Sequence, residues 1–278
     1  MCGVCVARRW CLRRPEPLEG EAAAPIIGRM QALYVYVIVG AVLAGFVQGL
    51  SGFAFGMVAM SVWAWTLEPQ LAAVLALFGA LTGQVIAALT VRRSFDKRIL
   101  WPFVLGGLVG VPFGVWLLPH LDIVLFKVCL GTLLVMWCPA MLMSQHLPKI
   151  TFGGRAADGV AGAIGGVMAG IGGFSGVVPT LWCTLRGFQR DTQRAVIQNF
   201  NLSMLAVAFA VHVASGSIGR SVLPLLVLVA AAVAVPVLLG ARLYIGISEA
   251  AFRKIVLSLL TLSGIAMLAS ALPALLAR

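Results

Sequence analysis

Two short glycine-rich stretches combine the residue types that can bind a small anion in apolar surroundings. The first, GFVQGLSGF, covers residues 45–53, and the second, GVMAGIGGF, covers residues 166–174. Glycine costs a helix interior about 1 kcal/mol relative to alanine, so each stretch predicts a break, with a new helix beginning near Phe53 and Phe174. A restarted helix presents unpaired N–H groups and the positive end of its dipole, which bind anions without a cationic side chain.

Polar residues near these glycines complete a candidate substrate site. Gln198 and Asn201 lie three residues apart in a later apolar segment and would share one helix face. Their amide N–H groups suit sulfonate or carboxylate oxygens, although hydrogen bonding between helices explains them equally well. The candidate substrate-binding residues are Gln48, Gly49, Ser51, Gly52, Phe53, Gly170, Gly172, Gly173, Phe174, Ser175, Gln198 and Asn201.

Helix packing is the alternative use of the same glycines. Small residues four apart let membrane helices approach closely. Two ladders have this spacing, and we expect packing from both: Gly106, Gly110 and Gly114, then Gly162, Gly166 and Gly170. At residues 49–52 and 170–173, where polar side chains adjoin the glycines, we favour anion binding over packing alone.

The elements that must hold these residues are membrane helices. Of the 278 residues, 61% are hydrophobic and 10% charged, and the mean hydropathy is +1.04. The chain therefore lacks the polar residues that cover a soluble domain. Its apolar stretches of roughly 18 to 25 residues match helices that cross a ~30 Å hydrocarbon core, whereas a barrel would show short alternating strands. We expect an all-α polytopic membrane protein in the lipid bilayer.

Ten apolar segments divide the chain into two halves. They cover residues 33–49, 53–67, 70–91, 99–118, 123–143, 159–171, 174–185, 195–214, 221–241 and 252–276. We expect a disordered arm over residues 1–29, a first membrane repeat over 30–143, a linker loop over 144–158 and a second repeat over 159–278. Because Met30 directly precedes the first segment, we favour a start codon assigned too early over a genuine arm.

The two halves share residues in the same order. The glycine stretches match at an offset of 121 residues, at Gly45/Gly166, Gly49/Gly170, Gly52/Gly173 and Phe53/Phe174. Further on, Val111 and Pro112 fall opposite Val235 and Pro236. LFKVCLGTLLV at 125 likewise falls opposite AFRKIVLSLLTL at 251. This order predicts a tandem duplication, which is the usual origin of transporter folds.

Two such halves, each with an apolar helix that runs into a G-x-x-x-G-x-G-G-type turn and then short helices with a mid-membrane proline, resemble the TauE/SafE family. This is the group of sulfite exporters and toluenesulfonate permeases, and the resemblance covers residues 33–276. It implies a secondary transporter, exporter or permease, for small organic or sulfur-containing anions such as sulfite, sulfonates or short carboxylates. It also implies a multi-pass protein of the cell membrane, plasma or inner.

Loop charges favour inverted repeats. If residues 33–67 form one broken crossing helix, the halves run parallel, and the fifteen basic residues after the arm divide eight inside to seven outside. If these residues form a hairpin, the halves are inverted and twelve lie inside. The positive-inside rule favours the hairpin, with both termini external. We expect eight to ten membrane helices, with a Gly-rich broken or hairpin helix opening each repeat.

The ionisable residues argue against proton coupling through a carboxylate. All nine carboxylates lie in the arm, in loops or at the ends of the expected helices, whereas proton-coupled carriers place an ionisable group in the membrane interior. We interpret His212 as a structural histidine. An anion that leaves a cell with a negative interior gains roughly 2.3 kcal/mol per charge per 100 mV, so export needs no coupling ion.

Other functional classes find less support. An intramembrane enzyme needs a nucleophile with a base, or a metal cluster, and the three histidines at 120, 146 and 212 are isolated. The CGVC motif at residues 2–5 lacks a partner pair, so we expect no metal and no cofactor. Scattered basic residues argue against nucleic acid. The alternative that the glycines leave open is a non-transporting membrane scaffold, and a homo-oligomer is also left open.

Overall fold

The protein is all-helical over the residues that the structure describes. The computed structural model describes residues 23–90, 96–143, 149–150, 152–243 and 249–276. These residues form ten α-helices and no strand: α1 (Ala23–Ser51), α2 (Phe55–Trp63), α3 (Pro69–Thr90), α4 (Lys97–Leu117), α5 (Ile123–Met143), α6 (Gly154–Gly172), α7 (Val177–Leu185), α8 (Arg190–Ala214), α9 (Leu223–Leu243) and α10 (Glu249–Leu276). Each of the ten apolar segments forms one helix.

Seven of these helices are long and apolar enough to cross a membrane, namely α1, α3, α4, α5, α8, α9 and α10. Helices α2 and α7 have nine residues each, about 14 Å of helix against a ~30 Å core. Helix α6 has 19 residues, but it is rich in glycine and carries Arg155 and Asp158 in its first two turns. The predicted multi-pass, all-helical membrane class is confirmed.

Two helices begin before the boundaries predicted from the sequence. Helix α1 begins at Ala23, so residues 23–29 of the expected disordered arm are helical. Alanine favours helix, and Pro25 falls in the first turn, where its missing N–H removes no helical hydrogen bond. Helix α6 begins at Gly154, inside the expected linker. Outside the described residues lie the rest of the arm and part of the linker, residues 1–22, 144–148 and 151.

The two halves of the chain contact each other through reciprocal helix pairs. Helix α1 packs along α9 and α4 along α6, so the first helix of each half lies on the fourth helix of the other half. Helix α5 packs on α10, and α3 contacts α8. The buried share of the membrane-spanning stretch is 56% for α3 and 50% for α8, against 28% for α9 and for α10. Helices α3 and α8 are therefore central, and α9 and α10 are peripheral.

Glycines line the reciprocal pairs. A Cβ on Gly110 would overlap the carbonyl oxygen of Ala163, and a Cβ on Gly166 would overlap that of Gly107. The remaining ladder glycines make similar close contacts between α4 and α6, at Gly106, Gly114, Gly162 and Gly170. The packing interpretation of both ladders is confirmed, and the ladders pack against each other. Gly106 of α4 contacts Gly159 of α6, and Gly114, two turns later in α4, contacts Val167, two turns later in α6. The two helices therefore run parallel.

Replacing Gly162 by alanine is expected to destabilise the protein, because the new Cβ would overlap the Phe103 carbonyl oxygen and separate α6 from α4. Overpacking of this kind costs roughly 1–3 kcal/mol, which a lower Tm in detergent would report. Gly159→Ala is the matched control on the same helix, since its Cβ would lie 3.6 Å from the Pro102 carbonyl oxygen. Equal Tm values for the two variants would contradict this close approach.

Candidate functional site

The first predicted break lies between α1 and α2. Gly52 follows α1 with a φ of +84°, a conformation that favours glycine. The hydroxyl of Ser51 accepts a hydrogen bond from the Ala54 N–H at 3.3 Å, and this closes the turn. Helix α2 then begins at Phe55, two residues beyond the predicted start at Phe53. Ser51 therefore has a local role in the turn.

The second predicted break lies between α6 and α7 and has a similar geometry. Gly173 follows α6 with a φ of +75°, and its N–H donates to the Ala169 carbonyl oxygen at 3.0 Å. Helix α7 begins at Val177, three residues beyond the predicted start at Phe174. The Val177 N–H already donates to the Phe174 carbonyl oxygen at 3.1 Å, which removes one of the N–H groups expected to be available there.

The two breaks lie against each other. A Cβ on Gly56, in the first turn of α2, would lie 2.9 Å from the carbonyl oxygen of Gly173 and 3.0 Å from that of Gly172. A Cβ on Gly176, just before α7, would lie 3.0 Å from the Cβ of Phe53. Backbone from both halves therefore meets with little space between.

Helix α8 contacts both breaks through the two amides predicted to share a face. A Cβ on Gly52 would lie 3.5 Å from Nε2 of Gln198, and a Cβ on Gly176 would lie 2.8 Å from Nδ2 of Asn201. The Ser175 hydroxyl donates to Oδ1 of Asn201 at 3.0 Å. Gln198 and Asn201 are 7% and 1% exposed, so both amides are buried at the breaks.

Helix α3 supplies a further amide that the candidate set lacked. Nε2 of Gln84 donates to the Gly52 carbonyl oxygen, and Nε2 of Gln48 donates to the Ala80 carbonyl oxygen at 2.9 Å. Oε1 of Gln48 is buried without a hydrogen-bond partner among the described residues. Gln84 is buried in a central helix, and the signal for it was a glutamine in the middle of an apolar segment. The hydroxyl of Thr82, also on α3, donates to the Phe78 carbonyl oxygen of the same helix at 2.9 Å.

A small cavity of about 30 Å³ lies beside Gly52, which is room for one or two water-sized groups. Helices α1, α3, α8 and α9 line it through Gln48, Gly49, Gly52, Gly83, Gln84, Ala87, Thr90, Arg194, Gln198, Val237, Leu238 and Ala241. Thr90 and Arg194 are exposed, whereas Gln48, Gln84 and Gln198 are buried. The cavity therefore has a cationic mouth and an amide interior. The guanidinium of Arg194 and the amide N–H groups favour anions electrostatically.

Four of the predicted site residues line this cavity, namely Gln48, Gly49, Gly52 and Gln198. The cavity lining does not include Ser51, Phe53, Asn201 or any residue of the second break. Sequence reasoning missed Arg194, which lies one helical turn before Gln198 on α8 and appeared only as a loop charge.

Several predicted site residues make packing contacts, and Gly49 does so in addition to lining the cavity. A Cβ on Gly49 would lie 2.9 Å from the backbone N of Ala241 in α9, and a Cβ on Gly170 would lie 2.7 Å from the Val111 carbonyl oxygen in α4. Phe53 stacks edge-on against Trp137, with ring centroids 5.8 Å apart. Gly172 and Phe174 also pack against each other, since a Cβ on Gly172 would lie 2.7 Å from the ring of Phe174.

Asp158 differs from the expectation that every carboxylate lies in the arm, in a loop or at a helix end. It lies in the second turn of α6 and is 4% exposed, because α6 begins within the expected loop. Its Oδ1 accepts a hydrogen bond from Nε1 of Trp182 at 2.7 Å and lies 3.7 Å from Nη1 of Arg186. Asp158 is therefore a buried, paired carboxylate that joins α6 to α7.

His212 is buried and lies 2.9 Å, through Nε2, from the Gly170 carbonyl oxygen. This contact joins α8 to α6 at the end of the α6 ladder. It supports the structural interpretation of this histidine.

The fold and the site together define a class of protein. A multi-pass helical protein with a cavity between its two halves, lined in part by buried glutamines, has the architecture of a membrane transporter. The sequence profile described as Sulfite exporter TauE/SafE matches residues 37–267, which is most of the chain. The protein therefore belongs to the TauE/SafE sulfite exporter family, a family of membrane transporters and not of enzymes. Comparison with curated proteins and with solved structures gives no match.

Proposed function

We propose that this protein is a secondary transporter that exports a small organic or sulfur-containing anion, such as sulfite, a sulfonate or a short carboxylate. The cavity beside Gly52 carries this proposal. The exposed Arg194 lines it together with the buried residues Gln84 and Gln198. A cationic mouth raises the local concentration of anions, and amide N–H groups suit sulfonate and carboxylate oxygens.

We further infer that residues 30–143 and 159–278 are inverted repeats, each opening with a helical hairpin. Thr90 at the end of α3 and Arg194 near the start of α8 line one cavity mouth, so these corresponding helices run antiparallel. A single broken crossing in each half would put the loops at 92–98 and 186–194 on opposite sides of the membrane. The hairpin threading puts both loops on one side, which agrees with the shared mouth.

The same threading favours export. Both loops beside the cavity mouth are rich in basic residues, which places them on the cytoplasmic side by the positive-inside rule. An anion from the cytoplasm would then meet Arg194 before it reaches the buried amides. Outward movement of each negative charge gains roughly 2.3 kcal/mol per 100 mV of negative-inside potential. We accordingly place the protein in the plasma or inner membrane.

Transport through this site requires the two halves to move. The cavity of about 30 Å³ holds only one or two water-sized groups, so a polyatomic anion needs a wider space. Beyond the cavity, contacts between Gly56 and the carbonyl oxygens of Gly172 and Gly173 bring the two breaks together. Rocking of one repeat against the other around these glycines would widen the cavity and then open the far side.

Flux measurements on the full chain in proteoliposomes test the proposal. Vesicles loaded with sulfite, an aliphatic or aromatic sulfonate, or a short carboxylate are placed under an imposed potential of either sign. We expect release of at least one of these anions to exceed that from protein-free vesicles, and to be faster when the loaded side is negative. The absence of flux of every anion under either potential would exclude the proposed transport activity. The remaining interpretation would then be a non-transporting membrane scaffold.

A further inference from the structure

A groove lies on the surface between the first turns of α4 and α6, apart from the cavity beside Gly52. It has a volume of about 620 Å³. The residues that line it include Arg98, Trp101, Leu105 and Gly106 of α4 and Arg155 and Gly159 of α6. The groove lies across the seam between the two halves of the chain.

The head of the groove is cationic. Arg98 and Arg155 are exposed, and the ion pair between Arg186 and Asp158 includes neither of them. The nearby carboxylate of Asp96 accepts the backbone N–H of Arg98 at 3.0 Å and caps α4. Two guanidinium groups therefore border one groove without a carboxylate partner among the described residues.

The body of the groove is apolar and opens toward the lipid. Trp101 is 54% exposed and Leu105 is 56% exposed, and Val109 in the next turn is 77% exposed. In a membrane protein such an apolar helix face contacts hydrocarbon. Trp101 lies one turn from Arg98, and tryptophan is enriched where the headgroup region meets the acyl chains. A cationic head above an apolar wall complements the anionic headgroup and the acyl chain of a phospholipid.

We propose that this groove binds an anionic phospholipid, with the phosphate between Arg98 and Arg155 and an acyl chain along Trp101 and Leu105. A free inorganic anion would use only the two arginines and would leave the apolar wall unused. Basic pockets between membrane helices bind anionic lipid headgroups in this way. Because α4 belongs to the first half and α6 to the second, the bound lipid bridges the halves and stabilises their contact. This inference does not depend on the transported substrate.

The full chain purified in neutral detergent tests this lipid site. Phosphatidylglycerol, phosphatidylcholine or inorganic phosphate is added, and Tm is followed together with the amount of lipid that the protein retains, measured by mass spectrometry. We expect phosphatidylglycerol to raise Tm and to be retained in preference to phosphatidylcholine. In the Arg98→Gln/Arg155→Gln variant, affinity should fall about 30-fold, or about fivefold for each arginine removed.

The matched control is Arg220→Gln/Arg242→Gln, which removes two exposed arginines elsewhere and should keep the response to phosphatidylglycerol. Equal retention of phosphatidylglycerol by the two double variants would overturn the site. So would a Tm increase of the same size with inorganic phosphate alone, because that result identifies a site for free anions. Lipid retention does not require flux, so these outcomes are independent of the transport test.

Discussion

Replacing Gln198 by glutamate is expected to reduce anion flux by at least about a hundredfold, because two like charges ~4 Å apart repel by about 4 kcal/mol at an effective dielectric constant near 20. Gln198 is 7% exposed and lines the cavity beside Gly52 together with Arg194. The new carboxylate would repel an entering anion. It would also lie one helical turn from Arg194, where it could pair with the cation at the mouth. Flux in proteoliposomes, normalised to inserted protein, is the measurement.

Gln70→Glu provides the matched control for this change. Gln70 is exposed at the start of α3, away from the cavity, so the same chemical change there should leave flux unaltered. The Tm of both variants in detergent separates a loss of folding from a loss of transport. A Gln198→Glu protein of normal Tm that transports at the wild-type rate would contradict a substrate path beside α8.

Replacing Gly52 by alanine is expected to lower anion flux about tenfold while the protein still folds. This decrease corresponds to an increase of about 1.4 kcal/mol in the free-energy barrier to transport. Gly52 has a φ of +84°, so alanine costs roughly 1–2 kcal/mol in backbone strain. Its Cβ would also lie 3.5 Å from Nε2 of Gln198 and would narrow the cavity. The change therefore acts on the site and on the turn that closes it.

Gly216→Ala is the control that isolates backbone strain. Gly216 has a φ of +72°, and a Cβ there would meet no atom within 4 Å. The two variants should lose similar amounts of Tm, but only Gly52→Ala should lose flux beyond what its fold accounts for. Proportional losses of flux and Tm in both variants would favour packing as the sole role of the first break.

The sequence predicted the helices and the approximate positions of the turns between α1 and α2 and between α6 and α7. It did not predict which helices pack against each other. Apolar length determines a membrane helix locally, and a positive φ favours glycine, so a glycine-rich stretch indicates a turn near Gly52 and another near Gly173. The starts of α2 and α7 were misplaced because hydrogen bonds within each turn, such as that from the Ala54 N–H to Ser51, extend the turn. Such local bonds leave little trace in hydropathy.

Residues from distant segments form the candidate site, and this explains what sequence reasoning missed. Gln84 and Arg194 join Gly52 at one cavity only because α3 and α8 lie side by side. Gly49 and Gly170 looked identical to Gly52 and Gly173 in sequence, yet they face neighbouring helices. Asp158 was counted as a loop residue because its helix begins within a polar stretch. In each case the deciding contact comes from another part of the chain.

The reciprocal helix pairs have a consequence for the origin of the fold. Each half places its first helix on the fourth helix of the other half, so a single half would leave its own first helix without that partner. On the proposed duplication, the ancestral five-helix unit needed a second copy to cover this surface, as in a dimer that exchanges an element between subunits. Joining the two copies in one chain made the exchange permanent, and later divergence put amides and an arginine at the cavity beside the first break.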